Sequence, residues 1–151
     1  MRPKWHILIG AFVSLILFFV FDIGLFYSSI VFLASFLIDV DHYLYYLYKK
    51  KDFSLKNSYN YFIEKEKEGF SMSKKSRDEH KRTQFIFHGI EFWLLLYLLG
   101  NFSVIFYFIL LGIGIHMVLD YIDLYKKKEK FYIKISQIMV YIKNKNKKDF
   151  G

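Results

Sequence analysis

The sequence predicts an all-α, polytopic membrane protein: a four-helix transmembrane bundle with a cytoplasmic loop and a C-terminal amphipathic helix. Three observations lead there. Four apolar runs, each near the length a membrane span needs, alternate with polar breaks. All 22 Lys and Arg residues fall within residues 1–4, 49–82 and 126–151, and none in the two short breaks between the runs. Apolar residues fill 54% of the 151 positions and aromatic residues 22%, a greasier mixture than one soluble domain of this size carries. Cysteine is absent and Pro3 is the single proline. Disulfides and thiolate metal sites are therefore excluded, and proline breaks none of the runs.

The first helix is expected over about residues 5–21, WHILIGAFVSLILFFVF, with Pro3 suited to a first helical turn. No small-x-small cleavage site follows and another apolar run begins at once, so a membrane helix is expected and not a removed signal peptide. After a turn at Asp22-Ile23-Gly24, the second helix covers about 25–48 and contains Asp39, Asp41 and His42. Lys49, Lys50 and Lys51 stop it. The 49–82 segment is polar and mixed in charge, with a short helix expected over 59–68, ended by Gly69. Residues 71–82 have no apolar periodicity and read as a mobile loop, with His80 a solvated surface residue. Carboxylates interleave with these lysines, which argues against nucleic acid as a partner.

The third helix, about 83–99, contains His88 and Glu91. Gly100-Asn101 makes the next turn, and the fourth helix, about 102–125, contains His116, Asp120 and Asp123. Gly112 and Gly114 are expected to permit close helix packing. Lys126 to Lys128 stop this helix as the earlier lysines stopped the second. Residues 1–128 thus form the membrane domain and 129–151 a cytoplasmic tail. Phe131, Ile135, Ile138 and Ile142 recur there at helical spacing beside Lys130, Lys134 and Lys143. That pattern suits an amphipathic helix on the membrane surface, or a short helix covering the bundle; residues after Lys143 are expected to be disordered.

With four spans, the chain's ends and the central loop share the side that holds every Lys and Arg. The positive-inside rule makes that side the cytoplasm, so the expectation is an integral protein of the cytoplasmic membrane with both termini inside. Tyr43, Tyr45, Tyr46, Tyr48, Tyr121 and Tyr125 stand just before the lysine stops, where an aromatic belt belongs.

The ionisable residues of the four runs share one depth. At helical rise Asp39 lies about 14 Å inward of Tyr48, and His116 about 14 Å before Tyr125. Glu91 is about 12 Å past Thr83, and His6 sits in the first turns of the first helix. A carboxylate inside a span costs ~2.5–3.5 kcal/mol on insertion scales and marks function more often than not. His116 and Asp120 share one helical face at i and i+4, His88 and Glu91 another at i and i+3, and Asp39 and His42 a third. Asp41 points away from Asp39, so it either supports the ligands from behind or needs a local helix distortion. Asp123 reads equally well as a solvated interfacial carboxylate.

Histidines and carboxylates without thiolates suit a divalent metal: zinc first, with manganese or iron also accepting the set. The candidate ligands are His6, Asp39, His42, His88, His116 and Asp120. A metal-bound water at lowered pKa would be the nucleophile, and Asp41 or Glu91 the general base. The bland reading of the same residues is a polar network that only specifies helix packing.

The Asp-x-Asp-His of Asp39 to His42, the early His6, His88 and the His-x-x-x-Asp of His116 to Asp120 resemble the YdjM-type, DUF457 membrane-bound metal-dependent hydrolases. Ile38 stands where that family usually has proline, and Phe87-His88-Gly89-Ile90-Glu91 is similar to its archaeal Phe-His-x-x-Glu form. The resemblance implies a metal-dependent hydrolase in contact with membrane lipids, whose substrate is a lipid or another amphiphile. Two other functions use the same residues: an ion or proton carrier, and a non-enzymatic structural membrane protein. The carrier lacks ionisable residues in the outer half of the helices to complete a path.

Overall fold

The computed structural model describes residues 3–148; Met1, Arg2 and residues 149–151, with the part of the expected basic head and disordered end they carry, lie outside the described residues. Regular structure among the described residues is helical, apart from one bridge between His80 and Lys148. Helix α1 is Pro3–Phe19, α2 Leu25–Leu37 and α3 Val40–Lys50, followed by α4 Leu55–Ser71 and α5 Lys74–Glu79. Then come α6 Ile90–Leu99, α7 Ile105–Lys126, α8 Tyr132–Ile135 and α9 Gln137–Asn144. Two stretches, Leu25–Lys50 (α2 with α3) and α7, are long and apolar enough to cross a membrane.

Helices α1, α2 and α7 are apolar outside and carry polar residues inside, as does the turn before α6, whereas α6 buries only Leu96. Phe12, Leu15, Phe26, Leu94, Leu98 and Val118 are exposed, whereas His6, Ser14, Ser28, Ser35, His88, His116 and Asp120 are buried. An apolar cluster of Ile38, Leu96, Ile113 and Met117 fills the space beside the buried polar residues. Small residues let the helices approach. A Cβ on Gly112 of α7 would stand 2.5 Å from the Val31 carbonyl oxygen and 2.7 Å from the Ala34 Cβ of α2, whereas Gly114 faces open space. Of the two glycines expected to permit close packing, only Gly112 does so.

The second run is not one continuous helix. Around Ile38 and Asp39 the hydrogen bonds step back three residues: Asp39 N–H donates to Phe36 O (3.3 Å), Asp41 N–H to Ile38 O (3.4 Å) and His42 N–H to Asp39 O (3.0 Å). This is the local distortion that Asp41 required. It also frees the Ser35 carbonyl, which in a regular α-helix would accept from Asp39 N–H.

The third run departs further from expectation. Residues before Ile86 are extended, Ile86–His88 is a 3₁₀ turn, and only Ile90–Leu99 is α-helical. Ten residues rise about 15 Å, half the hydrocarbon thickness of a bilayer. The extended stretch forgoes helical hydrogen bonds because the tail supplies replacements. Arg82 N–H donates to Asn144 Oδ1 (2.9 Å), the Asn144 side chain donates back to Arg82 O (2.8 Å), and Phe85 N–H donates to Gln137 Oε1 (2.9 Å).

The polar end is more ordered than its composition suggests. Ser54 caps α4, which runs through Gly69 to Ser71, and Ser73 caps α5 within the stretch expected to be a loop. Asp52 joins α3 to α4 by accepting from Tyr46 Oη (2.5 Å), Asn57 Nδ2 (2.8 Å) and Ser54 N–H (2.9 Å). Those bonds, the tyrosine's first, hold its carboxyl below the usual carboxylate range. Glu129 pairs with Arg77 (3.3 Å) and Arg82 (3.0 Å), tying α5 to the turn after α7. His80 is half-buried, with Nδ1 donating to Ser76 O (2.8 Å).

The tail covers this end of the bundle as two short helices, α8 and α9, broken at Ser136. Lys148 O accepts from Lys81 N–H (2.8 Å) and Lys148 N–H donates to Glu79 O (2.9 Å). Residues 144–148, expected to be disordered, are therefore paired to the segment before α6.

Candidate metal centre

Four segments meet where α1, the α2–α3 break, the turn before α6 and the middle of α7 come together. They bring His6, Asp39, Asp41, His42, His88, His116 and Asp120 into one cluster. Three overlapping groups in it have ligand atoms close enough to share an ion: His6, Asp39 and His116; Asp39, His42 and His88; and His88, His116 and Asp120.

The outer nitrogens of two histidines are fixed. His116 Nδ1 lies 2.8 Å from Ser35 O, the carbonyl freed by the helix break. A carbonyl only accepts, so Nδ1 carries the proton and, in the neutral ring, Nε2 is bare. His88 Nδ1 lies 2.9 Å from Asp41 Oδ2, which imposes the same tautomer. Both Nε2 atoms are buried without a hydrogen-bond partner. They face two carboxylates: His88 Nε2 is 3.5 Å from Asp39 Oδ1 and 3.7 Å from Asp120 Oδ2, and His116 Nε2 is 3.6 Å and 3.3 Å from the same atoms. The Nε2 atoms of His88 and His116 with Asp120 form one group of mutually close donors, and Asp39 joins each histidine in a neighbouring group. Four atoms bound about 2 Å from a tetrahedral ion lie roughly 3.3 Å apart. The residues fit a divalent ion.

Around this group stand the remaining candidates. His6 stacks on His116 (ring centroids 3.8 Å apart), with Nε2 3.6 Å from Asp120 Oδ1. His42 stacks on Phe85 at 3.7 Å, and its Nδ1 lies 2.8 Å from Asp41 Oδ1 and 3.4 Å from Asp39 Oδ1. Asp41 is buried with both oxygens occupied, since Oδ2 also accepts from Phe87 N–H at 3.3 Å. It orients His42 and His88 and has no oxygen to spare for the general-base role expected of it. Asp123 pairs with Lys127 (2.5 Å), between the cluster and the polar end.

Comparison with protein-family models, curated proteins and solved structures finds no match. The resemblance to the DUF457 hydrolases therefore rests on the motifs alone.

Glu91 lies elsewhere. Its carboxylate accepts from Ser136 Oγ (2.5 Å), Gln137 N–H (3.2 Å) and Ile138 N–H (3.2 Å), and so binds the N-terminus of α9. The extended backbone at Gly89 cancels the i, i+3 facing that a continuous helix would give His88 and Glu91. Its expected role as general base gives way to that of an anchor. Glu91→Ala is expected to cost about 1.5–3 kcal/mol of local stability, the worth of hydrogen bonds to a charged group. Amide exchange at Gln137 and Ile138 would then quicken at least tenfold; unchanged protection there contradicts the anchor.

Lys134 was not foreseen as part of the site. Its ammonium reaches Asp120 Oδ2 at 2.6 Å, and the side chain is 14% exposed. The sequence holds a signal for it, because Lys134 stands between Ile133 and Ile135, a charge inside an apolar stretch. Asp39, His42, Asp120 and Lys134 all line a cavity of about 560 Å³, which opens between the cluster, α4 and the tail. Phe62, Phe70, Phe85 and Ile133 give it apolar walls.

Proposed function

We propose that the chain is an integral protein of the cytoplasmic membrane, a four-helix bundle whose polar end faces the cytoplasm, and that it is a metal-dependent hydrolase of a lipid or another amphiphile. One observation carries the reading: the buried Nε2 atoms of His88 and His116 have no hydrogen-bond partner and face the carboxylates of Asp39 and Asp120 at 3.3–3.7 Å. Electron pairs so arranged repel unless a cation joins them. The apolar exterior and polar interior of the helices support the membrane setting. The irregular backbone before α6 is covered by the tail, as a bilayer setting demands.

In this reading His88 Nε2, His116 Nε2, Asp39 Oδ1 and Asp120 Oδ2 hold the ion, with His6 Nε2 beside them. A divalent ion supplies polarisation of a substrate oxygen and a water acidic enough to attack at neutral pH. Asp41 and the Ser35 carbonyl accept the Nδ1 protons of His88 and His116 and so aim their Nε2 atoms. His42 lines the cavity with Nδ1 held by Asp41, so Nε2 is its basic nitrogen and would take the proton of a water activated there. The apolar walls of the cavity receive an acyl or isoprenoid portion.

The test is the metal content of protein purified in mild detergent without chelator, followed by hydrolysis of amphiphilic esters before and after metal removal. One equivalent of zinc, manganese or iron and chelator-sensitive turnover are expected; protein without stoichiometric metal removes the proposal's basis. Asp41→Asn, which keeps the volume but not the charge, is expected to weaken metal affinity about 10–100-fold. A titration against a competing chelator reads this directly, and an unchanged affinity would leave Asp41 without the orienting role.

A further inference from the structure

The metal centre does not account for Lys134. Its ammonium is held on Asp120 Oδ2 (2.6 Å) by α8, which has only four residues. That short helix is fixed at both sides, by the contact of Phe131 with the Tyr121 ring and by Glu91 binding Ser136 and Gln137. Nζ also sits 5.6 Å from the centroid of the Phe85 ring, which stacks on His42. A long, flexible side chain is thus brought to one place beside the ligands, at an entropic cost that surface lysines do not bear.

Charge explains what this placement achieves. Asp39, Asp41 and Asp120 carry three negative charges into the cluster, and a divalent ion cancels only two. Lys134 cancels the third, so an incoming anion meets a neutral centre and not a negative one. An ammonium has three N–H donors and no acceptor; Asp120 engages one, and Lys134 lines the cavity. Further out, the cavity wall is mixed in charge: Arg77 and Arg82 pair with Glu129, and Lys127 with Glu66 and Asp123, so Lys134 is the cation placed at the cluster itself.

We propose that Lys134 is a substrate-binding residue that pairs with an oxyanion of phosphate type bound at the metal centre, so that the substrates are phosphate-bearing. This rests on the metal reading above and specifies its substrate class. A lipid phosphate headgroup and a soluble phosphate ester present the same oxyanion.

The experiment uses the full chain in mild detergent, loaded with Mn²⁺, and follows the paramagnetic relaxation of inorganic phosphate by ³¹P NMR. Saturable relaxation enhancement is expected for the wild type. Lys134→Met should raise the phosphate dissociation constant at least tenfold while holding Mn²⁺ at least as tightly as wild type, and Lys134→Arg should stay within about threefold, since it keeps the charge. Equal phosphate affinity in Lys134→Met and wild type, with Mn²⁺ bound in both, makes Lys134 a structural partner of Asp120 and overturns the proposal. Failure of the wild type to take up Mn²⁺ overturns the metal reading and this one with it. Competition then separates the sources: displacement of phosphate by micellar phosphatidate at lower concentration than by glycerol phosphate assigns the oxyanion to a lipid headgroup. Equal displacement assigns it to a soluble ester, and either result supports an oxyanion site.

Discussion

Alanine in place of His116 is expected to abolish stoichiometric metal binding, well beyond the ~10–100-fold that loss of an orienting hydrogen bond costs. His116 is fully buried, its Nε2 has no hydrogen-bond partner and belongs to two of the three ligand groups, and its ring supports His6 by stacking. His88→Ala should match it, because His88 Nε2 occupies an equivalent position and Asp41 would lose the ring it orients. His42→Ala should differ. His42 stands outside the group formed by His88, His116 and Asp120, so its removal is expected to spare most of the metal while lowering turnover. The check is elemental analysis and chelator competition on the three variants side by side. Retention of a full equivalent of metal by His116→Ala, with wild-type affinity, contradicts the assignment of the centre.

Valine in place of Gly112 should be nearly as damaging although it touches no ligand. A Cβ there meets the carbonyl oxygen of Val31 and the amide nitrogen of Ser35, which are backbone atoms and cannot swing aside. Helix α2 must then move away from α7, at an overpacking cost of about 1–3 kcal/mol. The shift would also stretch the bond from His116 Nδ1 to Ser35 O, so metal affinity should fall together with stability. Gly114→Ala is the control. Open space surrounds that position, and alanine there should be neutral or stabilise the helix by up to about 1 kcal/mol. Unfolding in detergent read by circular dichroism separates the two, and equal stability of both variants would contradict backbone contact at Gly112.

The site was legible in the sequence to the extent that charge in an apolar run is conspicuous. Each of His6, Asp39, Asp41, His42, His88, His116 and Asp120 stands out in that way, and all seven converge. Their division of labour was less legible, because it depends on backbone detail. Helical facing separates Asp41 from Asp39, and only the three-residue hydrogen-bond step at Ile38 and Asp39 lets both approach the histidines. Glu91 looked equivalent to the others because its true partners, Ser136 and Gln137, lie 45 residues on and carry no charge to announce them. The third run looked like a full helix since apolar periodicity cannot register that Gln137 and Asn144 satisfy the backbone of residues 82–85 from outside. Lys134 is one lysine among several on an amphipathic face, and only its isoleucine neighbours set it apart.

The clamp between residues 79–85 and 137–148 orders the site in time. Chains are made from the N-terminus, so His6, the Asp39–His42 stretch, His88 and His116 exist before Lys134 does. The ligand-bearing helices can pack against one another while the cavity still lacks the wall that α8 provides. In the proposed centre, an ion entering during that interval would find Asp120 without its ammonium and meet a more negative site than the finished one. Docking of the tail brings Lys134 onto Asp120, so exchange of a bound ion in the mature protein would be slower than its capture during synthesis.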